Sequence, residues 1–414
     1  MLRNSECRLD GEMQLGNEIQ PIEIAEGVYW VGVVDWNLRD FHGYETPKGG
    51  TYNSYLIIDE KITLIDTVKG PFFDEMIGRI SQIVDPAKID YIVSNHVEMD
   101  HSSSLPAIMQ VVPKAKIFSS AKGKKGLLEH YREMGFQNWD IEVVKTGDEI
   151  SIGKKTLQFI EVVMLHWPDS MHTYLKEDKI LFSNDAFGQH IATSERFEDQ
   201  VEGVMEDAEI YYANILMPFG KQVLTYAEKI KQMGLKFDMI APAHGVIWRK
   251  EPERIIEAYV KWANAEAKQS VLIIYDTMWG STEIMAKEIL YGVESAGVDV
   301  KLRNLRKNDW SKMVKELMDA SVVAIGSPTQ NNGMFFTIAG FLSYMKGLRP
   351  KGKKFFVFGS YGWGGGAVKG IEKELTESGF EIVEPGFQVN FKPFEEDREK
   401  CREIGSRLAS LAKK

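Results

Sequence analysis

Cysteine is scarce in this 414-residue sequence: Cys7 and Cys401 lie near opposite ends of the chain, and no CxxC occurs. This scarcity excludes a thiolate zinc ribbon, an iron–sulfur cluster and a disulfide scaffold. No apolar run approaches the ~18 residues of a membrane helix, and the first residues lack the apolar block of a signal peptide. We therefore expect a soluble, cytoplasmic protein without a membrane partner, in which His, Asp and Glu hold any metal.

Basic patches are also lacking. The formal net charge is −10, and no Lys- and Arg-rich block is interleaved with aromatic residues, so no nucleic-acid partner is expected. Residues 1–267 carry 28 Lys and Arg against 42 Asp and Glu, a net −14, whereas residues 268–414 carry 22 against 18, a net +4. All eight histidines lie in the first 244 residues. A metal site is therefore expected in the N-terminal part of the chain.

The sequence does have the apolar content of packed domains, at 44% hydrophobic residues, and its length predicts two or three of them. Residues 1–250 contain short β-branched and aromatic runs, such as VYWVGVV at 28–34, which predict an α/β sandwich. Residues 251–269 predict a connecting helix. Residues 270–414 alternate between strand and helix, with a fifth strand near 381–389, which predicts a doubly wound parallel five-stranded sheet.

Four candidate metal ligands follow the apolar strand YIVSN at 91–95, in the motif HVEMDH. A loop after a rigid strand can direct His96, Glu98 and Asp100 into one cavity, and His101 can reach a neighbouring ion. A solvated polar turn is the alternative interpretation of so short a motif.

Three more candidates also stand just after strand-like apolar runs. His166 follows FIEVVML, Asp185 follows ILFSN, and His244 follows MIAPA. Four strand ends could thus line one pocket. Asp66, at the end of another strand, is interpreted as a structural hydrogen-bond anchor.

The other histidines are weaker candidates. His42, in the loop DWNLRDFHGYE, is a candidate for lining the pocket. His172 and His190 either orient ligands or are structural, and His130 is expected at the surface.

A candidate phosphate site follows the strand SVLIIYD at 270–276. The loop TMWGST at 277–282 places hydroxyl and backbone N–H groups at the start of a predicted helix, although simple helix capping would look the same. Neither GxxxxGK[ST] nor GxGxxG is present, which disfavours a nucleotide triphosphatase and a dinucleotide site. In this strand order a mononucleotide binds at the switch point between the first and third strands, and the loops SPTQNN at 327–332 and SYGWGGG at 360–366 follow the third and fourth strands.

These motifs resemble the metallo-β-lactamase superfamily, and more closely the flavodiiron proteins. Zinc hydrolases of the superfamily typically carry HxHxDH, and here Glu98 stands where the second His would be. The stretches LHWPDSMHTY at 165–174 and LFSNDAFGQH at 181–190 look like the family's flanking sequences. The resemblance covers essentially the whole chain. It implies an N-terminal metallo-β-lactamase-like αββα sandwich and a C-terminal flavodoxin-like domain.

The resemblance also implies the ligand sets of two irons. His96, Glu98 and His166 would bind one iron, Asp100, His101 and His244 the other, and Asp185 would bridge them. Family members differ over whether the position of His101 binds. Three carboxylates form a harder ligand set than that of the zinc enzymes, which suits iron. No catalytic residue beyond these ligands is predicted.

The three C-terminal loops resemble the FMN loops of flavodoxin. They offer one phosphate cradle and no pyrophosphate fingerprint, which predicts FMN and not FAD. The predicted FMN-binding residues are Thr277, Met278, Trp279, Gly280, Ser281, Thr282, Ser327, Pro328, Thr329, Gln330, Asn331, Ser360, Tyr361, Gly362, Trp363, Gly364 and Gly365.

A flavin beside a non-haem di-iron site predicts an oxidoreductase that reduces O2 to water, NO to N2O, or both. Two alternatives are a superfamily hydrolase fused to a flavodoxin-like electron-transfer domain, and an electron carrier with a vestigial metal domain. Because the sequence contains no CxxC rubredoxin module, we expect an external electron donor, either rubredoxin or a reduced deazaflavin. The resemblance further implies a head-to-tail homodimer, or a dimer of such dimers.

Overall fold

The structure is a computed structural model that describes residues 20–134 and 139–413. Cys7 and the first 19 residues of the predicted metal domain lie outside the described residues. None of the helices in the described ranges combines the length and apolar character that crossing a bilayer requires.

Short strands dominate the first part of the chain and lie mostly in two sheets. In chain order they are β1 (Ile22–Ala25), β2 (Val28–Trp30), β3 (Val33–Asp35), β4 (Asp40–Phe41), β5 (Tyr44–Glu45), β6 (Gly50–Tyr52), β7 (Tyr55–Ile57), β8 (Thr63–Ile65), β9 (Tyr91–Val93), β10 (Lys116–Ser119), β11 (Ile141–Val143), β12 (Glu149–Ser151), β13 (Thr156–Glu161), β14 (Met171–Leu175), β15 (Ile180–Asn184) and β16 (Met239–Pro242). The first sheet has the order β1-β2-β7-β8-β9-β10-β11 and the second the order β12-β13-β14-β15-β16. The pairs β3-β6 and β4-β5 form separate two-stranded ribbons.

Helices cover the outer face of each sheet. They are α1 (Phe73–Ile83), α2 (Met99–Ser102), α3 (Leu105–Val111), α4 (Ala121–His130), α5 (Val204–Tyr211), α6 (Gly220–Met233) and α7 (Pro252–Ala263), and a π-helical turn, Tyr212–Leu216, follows α5. Apolar residues of α1, α3 and α4 pack on the first sheet, while Trp30 and Phe118 meet Phe159 and Phe182 between the two sheets. Helices α5 to α7 cover the second sheet. The predicted αββα sandwich is therefore confirmed.

The C-terminal part alternates strands and helices as predicted. Its strands are β17 (Lys268–Tyr275), β18 (Asp299–Asn304), β19 (Ala320–Gln330), β20 (Gly333–Met334), β21 (Lys354–Tyr361), β22 (Glu381–Ile382) and β23 (Phe387–Asn390). Its helices are α8 (Ser281–Ser295), α9 (Trp310–Asp319), α10 (Phe336–Leu348), α11 (Ala367–Glu377) and α12 (Glu395–Ala412). The main sheet is parallel in the order β18-β17-β19-β21-β22, with α8 and α12 on one face and α9, α10 and α11 on the other. This is the predicted doubly wound, flavodoxin-like sheet.

Several predicted elements are shorter than expected. The run at 28–34 forms two strands that part at Gly32, where an added Cβ would lie 2.5 Å from the carbonyl oxygen of Tyr52. The fifth strand divides into β22 and β23 around Pro385, because proline cannot donate a backbone hydrogen bond to a sheet. The helix predicted over 251–269 ends at Ala263, and β17 begins at Lys268.

The contact between α8 and α12 depends on two glycines. A Cβ added to Gly405 would lie 2.1 Å from the carbonyl oxygen of Ile289, and one added to Gly292 would lie 2.0 Å from that of Arg402. Since both obstacles are backbone atoms, neither can turn aside as a side chain could. The two helix backbones can approach this closely only because both positions are glycine.

We expect Gly405→Ala to lower the free energy of unfolding by about 1–3 kcal/mol, because the added methyl group forces the two helices apart. The control is Gly347→Ala in α10, where an added Cβ meets no atom within 4 Å. There alanine should stabilise the helix by about 0.5–1 kcal/mol. Urea denaturation followed by circular dichroism compares the two variants, and equal stability of both would contradict this explanation.

Candidate metal centre and nucleotide cavity

The seven predicted metal ligands converge at one end of the sandwich. The loop after β9 carries His96 and Glu98, and α2 carries Asp100 and His101. His166 lies in the loop before β14, and Asp185 and His244 follow the parallel strands β15 and β16. Parallel strands end at the same edge of a sheet, so residues distant in sequence meet there. All seven are buried except His166, which is partly exposed.

Asp66 holds two of these loops together. Its carboxylate accepts hydrogen bonds from the Asn95 backbone N–H at 2.7 Å, the Asn95 side chain at 2.9 Å and the Asn184 side chain at 3.2 Å. Asn95 precedes His96, and Asn184 precedes Asp185. Asp66 is therefore the structural anchor that its sequence position suggested.

The seven side chains form two groups. One contains His96, Glu98, His166 and Asp185, and the other contains Asp100, His101 and His244; the ligand atoms within each group lie within 4.8 Å of one another. In the first group, Glu98 Oε2 lies 3.2 Å from the Nε2 atoms of both His96 and His166.

Asp185 joins the two groups. Its Oδ2 atom lies 3.4 Å from His96 Nε2 and 3.3 Å from His166 Nε2, while Oδ1 lies 2.9 Å from His101 Nε2 and 3.3 Å from His244 Nε2. One carboxylate thus presents one oxygen to each group. This is the geometry expected of a bridging ligand between two cations.

The cluster combines ionised carboxylates with positively charged imidazoles. Burial alone would disfavour ionised carboxylates, but hydrogen bonds from the surrounding imidazoles outweigh it and hold the pKa of Glu98 and Asp185 well below the usual range. Burial likewise disfavours the imidazolium forms, but the carboxylates raise the pKa of His166 to about 9 and that of His244 to about 10. Three buried carboxylates therefore require positive charge beside them.

The donor set fits metal cations of intermediate hardness. Asp100 Oδ1 is buried and accepts no hydrogen bond from any residue in the described ranges, which leaves its lone pairs available to a cation. Imidazole and carboxylate together suit iron, while soft thiolate ligands are missing from the cluster.

Two of the predicted ligand histidines have their Nδ1 atoms held by residues that are not predicted ligands. Asp169 Oδ2 lies 2.8 Å from His96 Nδ1 and accepts the Val97 backbone N–H at 2.9 Å. His244 Nδ1 lies 2.7 Å from the carbonyl oxygen of Thr51. Such contacts fix which imidazole nitrogen faces the metal. Sequence reasoning missed Asp169; its one signal was its position in the same loop as His166.

The remaining histidines have distinct positions. His42 Nε2 lies 2.8 Å from Glu98 Oε1, and its side chain is half-exposed, so it lies at the mouth of the metal site. The His190 ring lies 5.2 Å from that of His244, and its Nε2 is 2.8 Å from Tyr44 Oη. His172 contacts Tyr226 instead of a ligand, and burial lowers the pKa of His172 to about 3. His130 is exposed on α4.

A second site, a cavity of about 980 Å³, opens at the carboxyl ends of β17, β19 and β21. Thirteen predicted residues line it: Thr277, Met278, Trp279, Ser281, Pro328, Thr329, Gln330, Asn331, Ser360, Tyr361, Gly362, Trp363 and Gly364. The cavity begins beside the first turn of α8, whose backbone N–H groups can bind a phosphate. The rings of Trp279 and Trp363 are 94% and 96% exposed at its rim.

Four predicted residues do not line this cavity. Thr282 is buried, and its hydroxyl lies 2.8 Å from Ser360 Oγ, so it links α8 to β21. The Ser327 hydroxyl accepts the Phe335 backbone N–H at 2.9 Å. Gly280 caps α8 with φ +89°, and Gly365 packs against Gln388.

Four lining residues were not among the predicted ones: Ile284, Asn332, Phe391 and Lys392. Phe391 and Lys392 directly follow β23, and the fifth strand of a parallel sheet ends at the same edge as the others. Because ligands bind at the carboxyl ends of the strands in such sheets, the position of Phe391 and Lys392 after the fifth strand could have predicted them.

Two protein families match this chain in sequence. Residues 51–245 match the ODP family of beta-lactamases, and residues 273–405 match the flavodoxin family. A nitric oxide reductase of Moorella thermoacetica is 48% identical over 396 residues, which cover 94% of this chain and 98% of that relative.

Solved structures agree over nearly the whole chain. The rubredoxin oxygen:oxidoreductase of Desulfovibrio gigas is 41% identical with a TM-score of 0.92, covering 95% of this chain and 99% of that one. The flavodiiron protein of Giardia intestinalis is 39% identical with a TM-score of 0.91, covering 95% and 97%.

We expect Asp169→Ala to lower the metal affinity of the cluster by about 10- to 100-fold, because His96 loses the carboxylate that orients it. Competition with a chelator, read as metal retained per chain, measures this effect. The control is Asp238→Ala, which removes an exposed carboxylate paired with Lys179 at 3.1 Å. Equal metal retention by both variants would contradict the conclusion that Asp169 orients His96 for metal binding.

Proposed function

Because this chain belongs to the flavodiiron protein family, we propose that it is an oxidoreductase that reduces O2 to water, NO to N2O, or both, at a non-haem di-iron site supplied with electrons by FMN. The observation that carries the proposal is the shared carboxylate of Asp185, with one oxygen facing each ligand group. The names of the relatives from Moorella thermoacetica and Desulfovibrio gigas support the two gases as substrates.

We assign the ligands to the two irons as the geometry groups them. His96, Glu98 and His166 would hold one iron, Asp100, His101 and His244 would hold the other, and Asp185 would face both. Bound there, the irons would supply the redox chemistry that reduces the gas, and FMN would supply the conversion of electron pairs into single electrons. Among the chain's own residues, Asp169 orients His96, and His42 holds the outer oxygen of Glu98 at the mouth of the site.

The nucleotide cavity would hold FMN with its phosphate at the start of α8. Ser281 and Thr277 lie there, and Thr277 Oγ1 also accepts the Gly280 backbone N–H at 3.0 Å. The ring system would lie among the loops after β19 and β21. One helix N-terminus provides one phosphate cradle, which fits a mononucleotide.

The hydrolase alternative is disfavoured by two features. Glu98 adds a third carboxylate to the metal site, and a complete flavodoxin-like domain accompanies it. A vestigial metal domain is disfavoured because all seven ligand side chains converge. For the electron donor we propose an external rubredoxin, which the name of the relative from Desulfovibrio gigas supports, with a reduced deazaflavin as the alternative.

We further propose the division of the chain into a metal domain at 1–250, a connecting segment at 251–269 and an FMN domain at 270–414. The helix α7 occupies Pro252–Ala263 within the connecting segment.

For the assembly we propose a head-to-tail homodimer in which the flavin of one chain serves the metal site of the other. Three aromatic residues at the rim of the cavity are largely exposed to solvent: Trp279 is 94% exposed, Trp363 96% and Phe391 64%. Exposed aromatic clusters of this kind are typical of contact surfaces. The net charges of −14 on residues 1–267 and +4 on residues 268–414 favour contact between unlike domains, although salt weakens this attraction.

We expect His166→Ala to lose iron and gas reduction while keeping its FMN spectrum, because only the metal site loses a ligand. The control is His130→Ala, which removes an exposed histidine from α4. Metal analysis and anaerobic stopped-flow mixing of the reduced enzyme with O2 or NO provide the readout. Wild-type enzyme that is active with two zinc ions and no iron would contradict the proposed function.

Transfer between chains is tested by mixing two inactive variants. Ser281→Glu should expel FMN, because its carboxylate would repel the phosphate at the α8 N-terminus while leaving the helix stable. Mixed dimers of Ser281→Glu and His166→Ala contain one intact flavin opposite one intact metal site. Gas reduction should therefore reappear after subunit exchange. If mixed dimers form and remain inactive, the head-to-tail arrangement is wrong.

A further inference from the structure

One buried amide connects the flavodoxin-like domain to a wall of the metal site. Asn214 lies in the π-helical turn Tyr212–Leu216 and is 6% exposed. Its Nδ2 donates to the carbonyl oxygens of Ile210 at 2.7 Å and of Ser311 at 3.0 Å, and its Oδ1 accepts the hydroxyl of Tyr344. Ser311 and Tyr344 belong to α9 and α10, so two of these three bonds cross between the domains.

The π-helical turn directly follows a residue that lies beside the metal site. Tyr211, the last residue of α5, precedes the turn, and its ring lies 6.0 Å from that of His244 and 5.0 Å from that of His190. A π-helical turn adds a residue to the helix and changes the direction of the side chains on either side of it; such turns recur at functional sites. The position of Tyr211 therefore depends on whether this turn is maintained.

The first turn of α9 also contacts the ribbon β4-β5, which lies on another side of the metal site. The backbone N–H of Ser311 donates to Glu45 Oε2 at 3.3 Å, and Glu45 ends the ribbon β4-β5 that carries His42. The first turn of α9 is thus fixed to both walls. Among these contacts, the bond from Asn214 to the Ser311 carbonyl oxygen is buried, and Asn214 uses both N–H groups and the carbonyl oxygen of its side chain.

We propose that Asn214 is a positioning residue of the gas-reduction reaction: it fixes the π-helical turn to the flavodoxin-like domain and thereby sets where Tyr211 lies beside the metal ligands. The inference rests on the proposed function. It adds to that function a link by which the arrangement of the two domains determines the shape of the metal site.

The test replaces Asn214 by leucine, which has a similar size and no polar atoms. The carbonyl oxygen of Ser311 and the hydroxyl of Tyr344 then lose their partner, so we expect backbone amides of residues 212–216 to exchange with deuterium about tenfold faster. We expect kcat with O2 or NO to fall about tenfold while KM for the electron donor stays within about twofold. Iron and FMN contents should be unchanged.

Two further variants sharpen the test. Tyr344→Phe removes one of the same hydrogen bonds and should produce a smaller effect in the same direction, and its effect should be less than additive with Asn214→Leu. The control is Asn308→Leu, which removes a hydrogen bond to the Asn304 carbonyl oxygen just before α9 without touching the π-helical turn. It should leave both exchange at 212–216 and kcat near the wild-type values.

The proposal is overturned if Asn214→Leu leaves exchange at 212–216 or kcat unchanged, or if Asn308→Leu matches it in both. If Asn214→Leu fails to fold, Tyr344→Phe decides: unchanged exchange at 212–216 or unchanged kcat overturns the proposal. A wild-type enzyme that reduces neither gas would instead refute the proposed function, and the exchange measurement would still report whether the link exists.

Discussion

The carboxylate of Asp185 is the group on which the metal centre depends. Its two oxygens face different ligand groups, and it is 2% exposed. An ionised carboxylate so far from water is stable only when positive charge and hydrogen bonds surround it. The N-terminal fold meets this requirement, because parallel strands deliver Asp185 and His244 to the same edge. Asp66 also joins Asn184, at the end of β15, to Asn95, which precedes His96. The αββα sandwich thus acts as the frame that keeps the seven predicted ligands in two groups.

The flavodoxin-like domain contributes to that frame as well as holding a nucleotide cavity. Its helix α9 reaches the ribbon β4-β5 through Ser311 and Glu45, and reaches the π-helical turn after α5 through Asn214. The ion pair between Lys315 and Glu209 at 3.0 Å joins α9 to α5 itself. Helix α9 thus contacts two elements of the N-terminal domain that lie next to the metal site.

Sequence reasoning could identify the seven side chains that cluster in the structure because their signal is local. His96 and its neighbours stand in one short motif after an apolar strand, and each later ligand also follows such a run. Asp169 had no comparable signal, since its role depends on where the loop before β14 folds back onto His96. Thr282 shows a second limit: the sequence placed it in a loop, but it lies buried in the first turn of α8, where its hydroxyl contacts Ser360. Element ends were the least predictable, so Phe391 beyond β23 was missed.

Two irons and one flavin together would match the electron demand of one gas-reduction reaction. Two ferrous ions and one reduced flavin hold four electrons, the number that converts one O2 to two waters. The most direct measurement is an anaerobic titration of the fully reduced enzyme with O2, following flavin and iron absorbance and assaying hydrogen peroxide. If flavin and irons act together, one O2 per chain reoxidises the flavin and both irons without forming peroxide. Reoxidation of the flavin alone, with one peroxide formed per O2, would contradict it.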